Sequence, residues 1–587
     1  MIGFPSQDII GRKWRLWAVL MAIGAGIVVV GYRLVLLHFS DAPECKGYIL
    51  SRTIPAARGA IYDANGVTCP MAVSIPVWEY HVDPQSVNAL RHHTPESVSS
   101  NVAAALNLPY KEVLGKFSGR TKSRYIPLAE SSDDAAHAVL ADTKQVSGLV
   151  IEERQVRRYP HGRQMAHVVG FVNALAAGCC GVELSQNHVL TGIPGFIEGV
   201  RDARNHEIYD LRKVSTEPVP GADVYLTLDH NIQFAVETAL SDQVARLSAQ
   251  AGWAIVERVR DGAIIAMASC PDFDPMHYNV AGDDSHTAED CWRNRAISFN
   301  YEPGSMMKSL TVAAAMNERL VNPDTVFDAY MGTWEYAGRI IHDHPTGRLT
   351  VRDALVKSSN IVTAKIGLML GPQRLYNYLR AFGLGSPVGI DLPGEEGGIL
   401  RNWRKWDNVT ASRVPFGQGV TVTAVQMCNA YVMLANDGVL LKPYVIDRIE
   451  DCHGEVVYRH RREVIGRPLR PEVARSMRSM LYGVTRPGGT ARRAQVKGYT
   501  VAGKTGTAQK TIKGHVSSTD YFASFCGMIP AAKPEYVVLV TLDAPEFKGP
   551  HTGGNAAAPV FQLIADELMR YYEVQPDAPH ELEEKKP

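Results

Sequence analysis

The chain has 587 residues, 45% hydrophobic and 21% charged, an ordinary globular balance that excludes a mostly disordered or collagen-like protein. Lys plus Arg and Asp plus Glu both number 61, so the formal net charge is zero. A dedicated nucleic-acid binder carries a net basic footprint, and this composition has none.

The first feature in chain order is an apolar run. Leu16 to Tyr32 carries no charge, and the run continues past Arg33 through Leu34, Val35, Leu36 and Leu37 to Phe39. At ~1.5 Å per residue, a helix of this length crosses a hydrocarbon core of ~30 Å. Arg12, Lys13 and Arg15 flank its start, so residues 1–15 are expected in the cytoplasm and the chain beyond 39 outside it. The competing reading is a cleaved signal peptide. That would have a shorter apolar core, and no convincing A-x-A site precedes Ser40-Asp41-Ala42-Pro43. No later stretch is long and apolar enough to span. The expectation is a single-pass, uncleaved anchor over 16–39.

The nine cysteines are Cys45, Cys69, Cys179, Cys180, Cys270, Cys291, Cys428, Cys452 and Cys526. They contain no C-x-x-C pair, so zinc-ribbon and thioredoxin-like readings lack support, and mostly buried thiols are expected. Residues 40–220 read as a mixed module, with an apolar run before the Asn65-Gly66 turn signal. The breaker-rich Glu217-Pro218-Val219-Pro220-Gly221 marks a boundary. Beyond it, Leu226 to Asp229 ends a strand, and Asn231 to Leu240 begins a helix with Asp229 as its cap. Trp253–Val259 and Ala263–Ala268 read as a hairpin around Asp261-Gly262. Ser305–Leu320 reads as a helix. Thr500–Ala502, Tyr521–Cys526 and Tyr536–Leu542 read as strands, and Ala556–Tyr572 as a closing helix. The order predicts an α+β fold with an antiparallel sheet packed by helices. The charged end, 574–587, is expected to be a flexible tail.

Three short motifs carry chemistry. In Tyr301-Glu302-Pro303-Gly304-Ser305-Met306-Met307-Lys308, Ser305 and Lys308 stand three apart at a helix start, on one face. A serine hydroxyl becomes a nucleophile when a neighbouring base takes its proton. Lysine serves as that base once burial or nearby positive charge lowers its pKa. In Ser358-Ser359-Asn360 a second hydroxyl could relay a proton, and an amide could hold a substrate carbonyl. In Lys504-Thr505-Gly506-Thr507 a cation and two hydroxyls on a strand edge make an anion site. Taken singly, each has a bland reading as a helix start, a cap or an ordinary strand. Their conjunction, in the order S-x-x-K, S-x-N, K-T-G, is the set of the penicilloyl-serine enzymes.

On these motifs the chain resembles the class B penicillin-binding proteins, monofunctional peptidoglycan D,D-transpeptidases. Further matches are Asn294-Arg295-Ala296, Pro415-Phe416-Gly417-Gln418-Gly419, Val422-Thr423 and Ala435-Asn436-Asp437-Gly438. In the pedestal they are Arg58-Gly59 with Asp63 and Gly66, Gly181-Val182-Glu183 and Leu190-Thr191-Gly192. Met306-Met307 departs from the Thr-Phe that relatives often carry. The resemblance implies a transmembrane helix, an elongated pedestal over 40–220 and a penicilloyl-serine transferase domain over 221–573. It implies Ser305 as nucleophile, Lys308 as base, Ser358 as relay, and Asn360 orienting the peptide and Lys308. Lys504, Thr505, Gly506 and Thr507 would bind the substrate carboxylate, with backbone N–H groups of Ser305 and Thr507 as the oxyanion hole.

The implied substrates are stem peptides ending in D-Ala-D-Ala, with penicillins as inhibitors and no cofactor, metal or nucleic acid. Gly483-Val484-Thr485, Gly488-Gly489-Thr490-Ala491 and Gly498-Tyr499 resemble the septal subgroup. That implies an inner-membrane protein with a periplasmic bulk, beside a SEDS-type glycosyltransferase and other divisome proteins. The alternatives are an elongation-type transpeptidase, a D,D-carboxypeptidase, or a non-catalytic β-lactam-binding scaffold. A Walker A pattern, Gly498 to Thr505, overlaps the third motif, but neither a buried strand before it nor an amphipathic helix after it is predicted. His342-Asp343-His344 is poorly spaced for one tetrahedral ion and reads as a polar loop near the substrate entrance. His92-His93 reads as a solvated pair.

Overall fold

The computed structural model describes residues 10–39, 49–84, 94–117, 123, 125–141, 149–201, 207–208, 214–280, 286–512, 515–546 and 552–579. Cys45, His92-His93, Ser40 to Pro43 and Glu581 to Pro587 lie outside them. By contacts the chain forms two units, Met1–Pro55 with Pro194–Pro218, and Ala56–Ile193 with Val219–Pro587.

In the first unit, helix α1 (Ile10–Phe39) contains Trp14–Leu36, a segment of mean hydropathy 2.2 with none of it buried. It is the single helix, among the described residues, long and apolar enough to cross a membrane. A small sheet follows. Its strand Gly195–Arg201 pairs antiparallel with Ile49–Ile54, Glu207–Ile208 and Val214–Thr216.

The second unit is built on two larger sheets. In one, Ile61–Tyr62 pairs parallel with Asp223–Leu226 and antiparallel with Pro70–Val82. Asp223–Leu226 in turn pairs with Ile446–Glu450. A buried ion triad stands beside this sheet. Glu183 accepts from Arg58 Nε at 2.6 Å and from Arg157 Nε at 2.7 Å. All three residues are buried, so losing one partner would strand a charge without solvent. Arg58 and Glu183 are the pedestal residues singled out by sequence.

The other sheet carries the site. The hairpin predicted around Asp261-Gly262 forms as β1 (Ala251–Arg258) and β2 (Ile264–Cys270). The later strands are β3 (Ala502–Ile512), β4 (His515–Ile529) and β5 (Tyr536–Asp543). The order is β2-β1-β5-β4-β3, antiparallel throughout. β5 is central and buried at every position, which explains an apolar run from Tyr536 to Leu542 interrupted only by Thr541.

Helices cover both faces. Asp229 caps α2 (His230–Arg246), accepting from the N–H groups of Asn231 and Ile232. Directly after Ser305 and Met306 runs α3 (Met307–Asn317). It ends before the predicted Leu320 because Arg319 turns the chain with φ 58°. α4 (Asn360–Leu370), α5 (Ala424–Ala435), α6 (Pro471–Thr485) and α7 (Ala558–Tyr571) follow. Strand register assigns the faces. Gly252, Val538, Leu542 and Phe525 point to α2 and α7, where Phe561 packs edge-on to Phe525. Glu257 and Cys526 point the other way, to Cys428 of the wholly buried α5.

The first residues of the tail expected from 574 are docked. Thr500 N–H donates to Asp577 at 2.7 Å and Ala578 N–H to Gly498 at 3.0 Å, so the chain is docked at least to Ala578. Eight cysteines lie among the described residues. Cys69, Cys291, Cys428 and Cys526 are buried, whereas Cys179 and Cys452 are exposed.

Glu257 is out of keeping with its surroundings. It is 0% exposed and neither carboxyl oxygen has a hydrogen-bond partner of ordinary geometry. Burial pushes its pKa well above the usual carboxylate range. The native state therefore holds a proton that the unfolded chain releases near pH ~4.3. Its stabilising contribution is complete below that pH and is lost as pH rises through the folded-state pKa. Glu257→Leu is expected to raise the melting temperature at pH 8 and to gain much less at pH 4. The difference is the proton-linkage term, about 1.4 kcal/mol for each pH unit between the unfolded-chain value and the lower of pH 8 and the folded-state value. Thermal unfolding of both proteins across that range checks it, and equal shifts at both pH values would refute the assignment.

Candidate active site

Ser305 lies in a single 3-10 turn, Gly304–Met306, immediately before α3. Gly304 has φ 52°. A Cβ there would stand 2.7 Å from the Thr507 carbonyl oxygen, while a Cβ on Gly417 would stand 2.1 Å from the Gly304 carbonyl oxygen. Only glycine permits both approaches. The turn carrying Ser305 is thus wedged between β3 and the Pro415-Phe416-Gly417 segment, and Gly304 N–H donates to the Gly417 carbonyl at 3.2 Å.

Ser358 takes φ 63°, a left-handed conformation that is uncommon outside glycine. Lys308 Nζ donates to the Ser358 carbonyl at 2.6 Å and to its Oγ at 3.1 Å. Lys504 Nζ reaches the same Oγ at 3.0 Å and Thr505 Oγ1 at 3.3 Å. One hydroxyl is therefore shared by two lysines, 1% and 0% exposed. Burial lowers the Lys308 pKa to about 7, with the Asp343 carboxylate opposing the fall. Burial, and then the neighbouring Lys308 charge, pull Lys504 well below its ordinary value. Two ammonium groups this close and this dry destabilise each other, so the pair favours a neutral amine.

The next two residues are held by a loop. Ser359 Oγ donates to Asp343 Oδ2 and accepts from Val362 N–H as the cap of α4. Asn360 N–H donates to Asp343 Oδ1 at 2.6 Å, and Asn360 Nδ2 to the His342 carbonyl at 2.9 Å. The Asn360 amide nitrogen is thus given to this loop, whereas the resemblance implied that Asn360 orients Lys308. Asp343, read from sequence only as part of a polar loop, fixes the S-x-N turn and sets part of the field on Lys308. No local pattern in the sequence marks that role. His344 does line the site.

A cavity of about 860 Å3 opens over these groups, lined by Ser305, Ser358, Asn360, Thr505 and Thr507 among others. Lys308 and Lys504 lie buried beneath it. Thr507 Oγ1 accepts from Gly553 N–H at 3.3 Å, and Thr505 and Thr490 share a hydroxyl–hydroxyl bond of 3.0 Å. Arg492 and Arg493 stand on the rim. The arrangement offers a nucleophile, a depressed lysine and a cationic, hydroxyl-rich end suited to a carboxylate. Lys504 sits inside β3, paired with Cys526 of β4. A P-loop lysine opens a helix, so the Walker A match is coincidental.

Residues 252–566 match the penicillin binding protein transpeptidase domain, and 53–226 the penicillin-binding protein dimerisation domain. A probable peptidoglycan D,D-transpeptidase PenA of Neisseria meningitidis is 30% identical, over 96% of this chain and 94% of its own. The peptidoglycan D,D-transpeptidase FtsI of Escherichia coli is 30% identical, over 89% and 85%. Among solved structures, penicillin-binding protein 3 of Mycobacterium tuberculosis with aztreonam superposes with TM-score 0.68. It is 29% identical and covers 90% of this chain and 99% of its own. With both family domains in sequence and the motif residues gathered at one cavity, the chain belongs to the class B penicillin-binding proteins, the serine-type peptidoglycan D,D-transpeptidases.

Proposed function

We propose that this chain cross-links stem peptides ending in D-Ala-D-Ala during septal wall synthesis, and that Ser305 is its nucleophile and the residue β-lactams acylate. The observation that carries the site assignment is the Ser358 hydroxyl held between the two buried lysines beside the Ser305 cavity. Ser305 Oγ attacks the carbonyl between the two terminal D-alanines as neutral Lys308 takes its proton. N–H groups of Ser305 and Thr507 receive the oxyanion, each commonly worth about 3–4 kcal/mol. The close approach of Gly304 to the Thr507 backbone supports that pairing. The proton returns through Ser358 to the departing D-alanine amine, and the amine of a second stem then displaces Ser305. Asn360 orients the peptide. Lys504, Thr505 and Thr507 hold the terminal carboxylate, and Gly506 lets the peptide backbone approach the strand.

In the same reading, α1 anchors the protein in the inner membrane with residues 1–15 cytoplasmic and the bulk periplasmic. The pedestal covers 40–220 and the catalytic domain 221–573, consistent with the two family matches. The partners are a SEDS-type glycosyltransferase and other divisome membrane proteins. The septal assignment draws support from the likeness to FtsI. Protease added to spheroplasts is expected to digest the bulk of the chain; a protected catalytic domain would reverse the orientation.

Ser305→Ala is expected to abolish labelling by penicillin, with the wild-type adduct mapping to the Ser305 peptide. Labelling that survives, or maps to Ser358, would overturn the assignment. Because Lys308 titrates near about 7 and only its neutral form accepts a proton, the acylation rate should climb with pH through that value and level off above it. Lys308→Ala should lose this limb and about 100- to 10,000-fold in rate; an unchanged profile would exclude Lys308 as the base.

The carboxylate is tested by changing the substrate. A charge-assisted hydrogen bond contributes roughly 1.5–3 kcal/mol, so a D-Ala-D-Ala peptide amidated at its C-terminus should acylate the wild type about 10- to 150-fold more slowly. In Thr507→Val that penalty should shrink. Rates for both peptides on both proteins form a double-mutant cycle, and simple additivity would show that Thr507 does not read the carboxylate.

A further inference from the structure

The mouth of the cavity over Ser305 carries charge that the reaction above leaves unused. Lys357, Arg492 and Arg493 line it and are exposed. No Asp or Glu lines it with them. Among the described residues, the three cationic heads have no ion-pair or hydrogen-bond partner. Other cations nearby in sequence are paired: Arg475 and Arg478 with Asp437, and Lys510 with Asp543. Asp343 does not neutralise the mouth, because its two oxygens are taken by Ser359 Oγ and Asn360 N–H. The asymmetry is written in the sequence. Between Glu472 and Asp520 there are nine Lys or Arg and no Asp or Glu, in a chain whose net charge is zero.

The backbone that carries the two arginines is pinned. Ala491 N–H donates to the Val484 carbonyl at 3.0 Å, and Ala491 and Ala494, on either side of the pair, are 0% exposed. A Cβ on Gly489 would stand 2.2 Å from the Val484 carbonyl oxygen. Thr490 shares its hydroxyl bond with Thr505, which joins this turn to the end of the cavity assigned to the carboxylate. Inside that end Lys504 is 0% exposed and drawn toward its neutral form. The full positive charges that meet an arriving anion are therefore the three at the mouth. Like charges at the mouth of a cleft with low-dielectric walls focus the field, and raise capture of an oppositely charged ligand by about 10- to 1,000-fold.

We propose that Lys357, Arg492 and Arg493 form a cationic collar that draws anionic acyl donors into the Ser305 cavity. The collar acts on capture and takes no part in making or breaking bonds. It favours a stem peptide with further free carboxylates over one whose carboxylates are amidated. This rests on the reading of Ser305 as the acylated residue and of the substrate as a carboxylate.

The test follows acylation of the full-length protein in detergent, read as the Ser305 adduct by intact mass and peptide mapping. The probes are benzylpenicillin, with one carboxylate, and carbenicillin, with a second on its side chain. In Lys357→Gln/Arg492→Gln/Arg493→Gln, benzylpenicillin is expected to acylate about 10-fold more slowly at ~0.02 M salt and subsaturating concentration, and carbenicillin to lose more. The loss should lie in the half-saturating concentration and not in the limiting rate. It should fade to about twofold or less at ~0.5 M salt, where the Debye length is only about 4 Å. Arg492→Lys/Arg493→Lys keeps the charge without the planar fork, and should stay within about twofold of wild type. A loss equal for both penicillins, one that persists at high salt, or one that the lysine variant shares would overturn the collar alone. A wild type with no Ser305 adduct would overturn the catalytic reading as well. Should the triple variant fail to fold, wild type decides. Its acylation must slow as salt rises, more steeply for carbenicillin, and equal slopes would refute the proposal.

Discussion

Two amines that repel each other, brought to one hydroxyl in a place where water cannot separate them, set the terms for the rest of this fold. Lys308 comes from a helix, Lys504 from an edge strand and Ser358 from a loop between helices. No local preference would gather them. Desolvation and mutual repulsion each work against the charged pair. The left-handed backbone at Ser358 adds a cost of order 1–3 kcal/mol. What offsets these is the antiparallel sheet with a fully buried centre, α5 packed on one of its faces, and a helix cap reinforced by Asp343. The same features that make the arrangement costly pull both lysines toward the neutral form.

Much of this was legible in the sequence, because the signals were local. The apolar run of α1, the Asp229 cap, the Asp261-Gly262 hairpin and the apolar strand β5 each follow from periodicity or turn chemistry. The motif triad named the residues that line or underlie the cavity. What escaped reading was set by tertiary contact. Asp343 acts on Ser359 and Asn360 from a preceding loop, and nothing in its neighbours marks it. The docking of Asp577 and Ala578 depends on residues 498–500, so a charged ending read as loose. Ser305 was placed in a helix, whereas the wedge between Gly417 and Thr507 tightens that turn to 3-10 geometry.

The overlapping G-x-x-x-x-G-K-T pattern shows how context decides a motif. In a P-loop the glycines free backbone N–H groups to cradle phosphate. In this chain the second glycine of the pattern, Gly503, lies in a paired strand, opposite Gly527 of β4. Its backbone belongs to a sheet edge, and a side-chain ammonium and hydroxyls supply the anion site.

The wedge at Gly304 also divides the site by tolerance to change. With glycine backbones pressed against Thr507 on one side and Gly417 on the other, the floor has no spare volume for a larger residue. The cavity is also lined by Thr490, Arg492 and Arg493 with Thr552 and Asn555, outside the wedge. The exposed side chains of Thr490, Arg492 and Arg493 can therefore change without meeting the glycine backbones of the floor, so the mouth of the cavity can be recharged or reshaped while the turn that carries Ser305 keeps its geometry.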